Sequence, residues 1–362
     1  MFRRSFLSRL AVLAGTSMLR ASPGKTILKP ASDASDLGEV AGAADELLQA
    51  LQSESRKQIQ FTFEDLERKD WSNVPNAVYP RHGLAFGKMS DAEKIAAHRL
   101  LAAITSPQGY LKATAIMGLE NILHEIQPPQ ERDKFSPDFY FLSVFGDPRV
   151  DDRWAIRVNG HHLALYLTVI GGKASGTPAF FGTEPATVQH GHLAGLRVLG
   201  AETMKGFALR NALTAEQAKL AVLAEELPPD IFTGPGRDQA LKQPAGLAAS
   251  QLRGSQRQLL ESLIDEYLGN MQPDVARAYR KRIQADGVDS LRFVWMGSPS
   301  PGRPIYYRVH GPSLLIEYDN SLAIGMKVKF NDPNHIHTIL RVPGNDFGGD
   351  WLRNHHLERH SR

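Results

Sequence analysis

The sequence predicts an α+β protein: an antiparallel β-sheet with strands within residues 139–170 and 290–341, and helices packed around it. Three observations carry this reading. Aromatic and β-branched runs concentrate in those two blocks. Segments with apolar residues at helical spacing fill the rest. Between two alternating runs, Trp154–Val158 and Leu163–Val169, stands Asn159-Gly160, the two-residue signature of a tight hairpin.

The elements follow in order. Residues 38–70 carry Ala43, Leu47, Leu48 and Leu51 at helical spacing. Residues 71–82 are turn-rich. Ser90 with Glu93 has capping-box spacing and opens a helix carrying Ile95, Leu100, Leu101 and Ile104. Pro107 is expected to end it, and a second helix to run from about Tyr110 to Ile126. Phe139–Phe145 begins the first strand block. Thr177–Gly182 reads as a loop or short strand. Helix returns over 194–225, with a start near Leu213–Gln217 and a break at Pro228-Pro229. Residues 233–246 are loop-like, 250–286 a helical pair interrupted near Pro273. The second strand block contains Leu291–Met296, Ile305–Val309, Leu314–Tyr318 and Ile336–Arg341, and residues 350–360 read as helix. Arg157-Val-Asn-Gly160 and Arg308-Val-His-Gly311, each followed by Leu-rich residues, form an internal echo that would suit a duplicated three-strand unit.

The N-terminus, with Arg3-Arg4 followed by a short apolar stretch, resembles a twin-arginine export signal over residues 1–22. Residues 23–37 then form a linker, and the protein would be periplasmic or secreted. The alternative is an amphipathic cytosolic helix. No later apolar run approaches the ~20 residues of a membrane span, so no stable membrane anchoring is expected. The 362 residues can bury a sizeable core, and a net charge of +3 without basic runs argues against nucleic acid as a partner. With no cysteine, disulfides, thiolate metal sites and a cysteine nucleophile are excluded. The thirteen histidines cluster, and any metal must be held by nitrogen and oxygen.

Two stretches concentrate the chemistry. In Glu317-Tyr-Asp319-Asn320 the two carboxylates are two apart, and in Asn334-His335-Ile-His337 the two imidazoles are two apart. Side chains at that spacing share one strand face. On the first hairpin Leu163, Leu165 and Leu167 form the apolar face, which puts His162 on the other side together with Glu317 and Asp319. His162, Glu317, His335 and His337 are therefore the candidate ligands of a divalent metal, zinc or iron before copper or manganese. Asp319 is a candidate base and Arg341 a candidate clamp on a substrate anion. His161, Asn320 and Asn334 are candidate supports of the ligands. Asp346 is a candidate brace for the C-terminal helix, and His356 and His360, one helical turn apart, are weaker ligand candidates. The bland alternative is a hydrogen-bonded polar network, or a metal-free pocket for a small molecule of unknown identity. His190 and His192 read as surface residues. No serine elbow, phosphate loop, dinucleotide fingerprint or His-Glu-x-x-His motif is present.

Several segments together resemble one bacterial and fungal family, the domain of unknown function DUF3500. They are Phe145-Gly-Asp-Pro148, Trp154 with Gly160-His-His-Leu163, Thr177-Pro-Ala-Phe-Phe-Gly182, Tyr306-Tyr-Arg308, Gly311-Pro312, Ile316–Asn320, Asn334–Thr338 and Asp346-Phe-Gly348 with His360. The resemblance implies a single family-wide domain over residues 38–360 and no particular reaction. Asn354-His-His356 departs from the His-Tyr expected there. The function expected is that of an exported metal-binding protein, a metal-dependent hydrolase or oxidoreductase. The other possibility is a non-catalytic periplasmic binder of a metal or small ligand.

Overall fold

The computed structural model describes residues 37–224, 226–321 and 333–352. The expected export signal, His356, His360 and most of the C-terminal helix expected over 350–360 lie outside those residues. The first half comprises helices α1 (Leu37–Ala50) and α2 (Ser53–Ile59), strands β1 (Gln60–Phe61) and β2 (Leu84–Ala85), helices α3 (Asp91–Ala103) and α4 (Pro107–Ile126), and strands β3 (Phe141–Phe145), β4 (Arg153–Gly160), β5 (Leu163–Ile170), β6 (Lys173–Ser175) and β7 (Ala179–Thr183). The second comprises α5 (Gly200–Ala212), α6 (Ala215–Ala221), β8 (Leu247–Ala248), α7 (Gly254–Leu268), α8 (Pro273–Asp286), β9 (Arg292–Gly297), β10 (Ile305–Gly311), β11 (Leu314–Asp319) and β12 (Ile336–Arg341).

The predicted α+β class holds, with one mostly antiparallel mixed sheet in the order β1-β3-β4-β5-β7-β12-β11-β10-β9-β8. The two halves follow the same path through it, β2-β3-β4-β5-β7 and β8-β9-β10-β11-β12, and meet where β7 pairs with β12, as the halves of a duplicated unit would. Gly83-Leu84-Ala85 and Gly246-Leu247-Ala248 each enter an edge strand from a positive-φ glycine, and each leaves through one 3-10 turn. The helix that follows has a carboxamide or carboxylate at its third position accepting from the N-cap amide, Glu93 on Ser90 and Gln256 on Arg253. α1 packs on α3 as α5 packs on α7. Gln60 pairs in parallel with Val144, as Val222 does with Trp295. The echo of Arg157 and Arg308 is the visible trace of this duplication.

Alternation along each strand then sorts the side chains. Leu163, Leu165, Leu167 and Val169 of β5 join Ile316, Tyr318, Trp295 and Leu340 in the main core beneath the helices. Each fully buried aliphatic chain there stabilises by roughly 1.5–3 kcal/mol. The opposite face carries the polar residues and is covered by two irregular segments, 62–83 and 223–246. Trp71 and Ile231, one from each, pack with Tyr166, Phe180 and Ile339.

Several expectations change. The helix read over 38–70 is broken after Ala50 and ends at Ile59. Pro107 begins α4 at its first position, behind the Ser106 cap, instead of ending α3; its missing N–H costs nothing there. Ile95 is 57% exposed, because its position on α3 faces away from α1. The hairpin turn is His161-His162, one step past Asn159-Gly160. Gly160 is instead a packing glycine, since a Cβ on it would lie 2.3 Å from the Tyr140 ring.

Candidate metal centre

The shifted turn positions the first imidazole. His162 has φ 60°, a left-handed conformation costly for a residue with a Cβ. It is held by its N–H donating to Asn73 O at 3.2 Å and its carbonyl accepting from Gly182 N at 2.7 Å. β12 supplies the other two rings. His335 stands just before the strand, and His337 pairs directly with Gly182 on one side and Asp319 on the other. Gly182 is what lets the rings meet. A Cβ on it would lie 2.9 Å from His162 Cδ2 and 3.1 Å from His337 Cδ2.

The three Nε2 atoms converge, with His162 to His335 at 2.6 Å and His335 to His337 at 3.1 Å. Two imidazole nitrogens at such a distance either share a proton or share a cation. Three nitrogens on a tetrahedral zinc would be about 3.3 Å apart, from bonds of about 2.0 Å. This group of His162, His335 and His337 could hold a metal ion, as could Glu120, His161 and His162 beside it. Burial, reinforced by neighbouring histidines, pushes His162 and His335 well below the usual histidine range, so both rings are neutral at pH 7. Neutral imidazole is the form that coordinates.

Carboxylates back the rings. Asp230 Oδ1 lies 2.8 Å from His337 Nδ1. Burial works against its charge, but His337, the Ile231 amide and Arg237 outweigh that and hold it below the usual carboxylate range. Asn73 Nδ2 is 3.3 Å from the same Nδ1. Glu184 Oε2 approaches His335 Nδ1 at 3.6 Å. His161 stacks on His162 with ring centroids 3.8 Å apart and pairs through Nδ1 with the buried Glu120 of α4 at 2.8 Å. His161 thus touches the ring of a ligand candidate on one side and Glu120 on the other.

The structure therefore brings His162, His335 and His337 together but not Glu317. That carboxylate sits one step along the same face and accepts Phe232 N at 2.8 Å, Thr233 N at 2.9 Å, Tyr306 OH at 2.7 Å and the Thr233 hydroxyl. Its oxygens are occupied in pinning the 223–246 segment to the sheet. Asp319 is the cross-strand neighbour of His337, fully buried and bonded to Ser321. Burial, opposed by Ser321 and reinforced by Asp230, pushes it up to about 7. Arg341 is turned inward onto Thr233 O at 2.7 Å and Asp346 at 2.5 Å, so Asp346 braces this arginine. Asn320 latches β11 to β10 by accepting Ile305 N at 2.6 Å, away from the rings. Asn334 accepts Ala186 N through its carbonyl at 2.6 Å and fixes the approach to His335. His190 and His192 are exposed, as expected.

Asp230, Asn73 and Glu184 were missed by sequence reasoning. Asp230 follows Pro228-Pro229 in what reads only as a helix breaker, and no spacing ties it to His337. Gly182 was visible only as the end of a loop or short strand and of one segment of the family resemblance.

No helix among the described residues is long and apolar enough to cross a membrane. A family model described as "Protein of unknown function (DUF3500)" matches residues 33–349. No curated protein and no solved structure matches the chain.

Proposed function

We propose, from the premise that this chain belongs to the DUF3500 family, that it is a metal-dependent enzyme whose ion is held by His162, His335 and His337. The convergence of three Nε2 atoms, at 2.6 and 3.1 Å, carries this reading. Zinc is favoured over iron. Three imidazoles with an open fourth position make a catalytic zinc set, whereas non-haem iron commonly takes two imidazoles and a carboxylate, and Glu317 is engaged elsewhere. An ion here would supply Lewis acidity to a water or a substrate oxygen. Asp230 holds His337 in the tautomer with Nε2 unprotonated. Asp319, cross-strand from His337 and pushed up to about 7 by burial, would take up a proton from a nucleophilic water, so hydrolysis is the reaction class proposed. Export, carried by Arg3-Arg4 and the apolar stretch after them, belongs to the same proposal.

The burial of His162 and His337, 2% and 1% exposed, favours a second reading in which the ion is sequestered or structural. Metal analysis of untagged protein, followed by turnover assays on ester, amide and phosphate substrates before and after chelation, tests both. One equivalent of zinc with chelator-sensitive hydrolysis is expected. Bound metal without turnover leaves the binder, and no metal with wild-type melting of His335→Ala removes both readings.

A further inference from the structure

One pair of equivalent positions in the two halves differs in how its polar atoms are satisfied. Asn159 on β4 and His310 on β10 occupy the same register, paired with Ala164 and Leu315, and both face the irregular segments. Around Asn159 every bond is made. Arg81 Nε donates to its Oδ1 at 3.0 Å, and its Nδ2 donates to Ser72 O and Leu163 O, each at 3.0 Å. Around His310 the bonds are not all made. The residue is 3% exposed, its Nδ1 has no hydrogen-bond partner, and it lines a cavity of about 490 Å³. Burial, with Arg308 adding to it, pushes the ring down to about 4, so it is neutral at pH 7.

A buried polar atom left unpaired costs about 1–3 kcal/mol, and the first half shows how the fold avoids that cost. The second half instead leaves a cavity within the range that small ligands occupy. Trp71 and Phe347 contribute rings to its wall, and Lys69 and Lys242 stand exposed at it. Neither lysine makes an ion pair among the described residues. Of the two carboxylates on the wall, Asp346 is neutralised by Arg341 and Asp238 bonds Gln239. Arg341 and His337 are four residues apart on one face of β12, about 13 Å, so the cavity stands apart from the imidazoles.

We propose that this cavity binds a small organic anion, its carboxylate or phosphate meeting Lys69 and Lys242, its ring against Trp71 and Phe347, and the edge of His310 on its inner side. This does not depend on the metal reading.

Calorimetric titration of the full chain with phenyl phosphate and with benzoate tests it, with benzyl alcohol and inorganic phosphate as controls. At least one anion is expected to bind one to one, each control at least tenfold more weakly, and the tighter anion identifies the head group. The Lys69→Met/Lys242→Met variant, changed only at exposed positions, should keep its melting temperature and bind at least tenfold more weakly, while His335→Ala binds as wild type. The proposal is overturned if neither anion binds at millimolar concentration, if either control binds as tightly, if the double variant binds as wild type, or if His335→Ala abolishes binding.

Discussion

Asp230 accepts a hydrogen bond from Nδ1 of His337 across 2.8 Å, although 107 residues separate them in the chain. The bond joins the irregular segment of the second half to the central strand of the sheet. It also decides which nitrogen of His337 is free to meet His335 and His162. A carboxylate behind an imidazole raises the ring's basicity and fixes its orientation.

Asp230→Asn should therefore weaken metal binding roughly 10- to 100-fold, while the metal-free protein melts near the wild-type temperature. Competition against a chelator of known affinity measures this; an unchanged affinity would detach Asp230 from the site.

Gly182→Ala should act on the same property through space. The added methyl meets the edges of His162 and His337 at 2.9 and 3.1 Å and must push the rings apart. Overpacking of this kind costs about 1–3 kcal/mol. Metal affinity is expected to fall more than stability, as read by titration and urea unfolding on one preparation.

Glu317→Gln separates the ligand expected from sequence from the anchor found in the structure. An amide cannot accept from all four donors that converge on Glu317, and a buried donor left unpaired, next to a lost charge-assisted bond, costs about 3 kcal/mol. Urea unfolding should show that loss. Bound metal, measured by elemental analysis, should stay at the wild-type ratio, and a metal-free variant would return Glu317 to the ligand set.

His310 sets a pH dependence. Its folded value of about 4 lies below the ordinary 6.5, so the unfolded chain binds the proton more readily. The contribution is complete above about 6.5 and is lost as pH falls toward 4, on the order of 2 kcal/mol. His310→Asn, which copies the residue at the equivalent position of the first half, should make the decline between pH 7.5 and 4.5 shallower by that amount. Unfolding free energies at the two pH values give the comparison.

Much of the fold was legible because it is written in local patterns. Strands β9 to β12 fall within a residue or two of where β-branched runs end, and the Ser90/Glu93 box opens α3 as its spacing requires. The duplication was only half visible. Arg157 and Arg308 echo each other, but the stronger signal, Gly-Leu-Ala at 83 and again at 246, lies in segments whose similarity is one of backbone shape more than side chains. The Asn-Gly hairpin signal misled by one turn, since the preference of Gly160 for close packing against Tyr140 outweighed its preference for a turn.

Of the site, the sequence by itself determined the pairs: alternation makes His335 and His337 share a face, and the leucines of β5 put His162 on that same side. Which pairs meet was decided by tertiary structure alone. The order of strands brings β5 and β12 together across β7, and the 223–246 segment claims Glu317 through its backbone amides while delivering Asp230 to His337. Strand order and the path of a covering loop arise from contacts between segments distant in the chain, and periodicity, which runs only along the chain, carries no record of them.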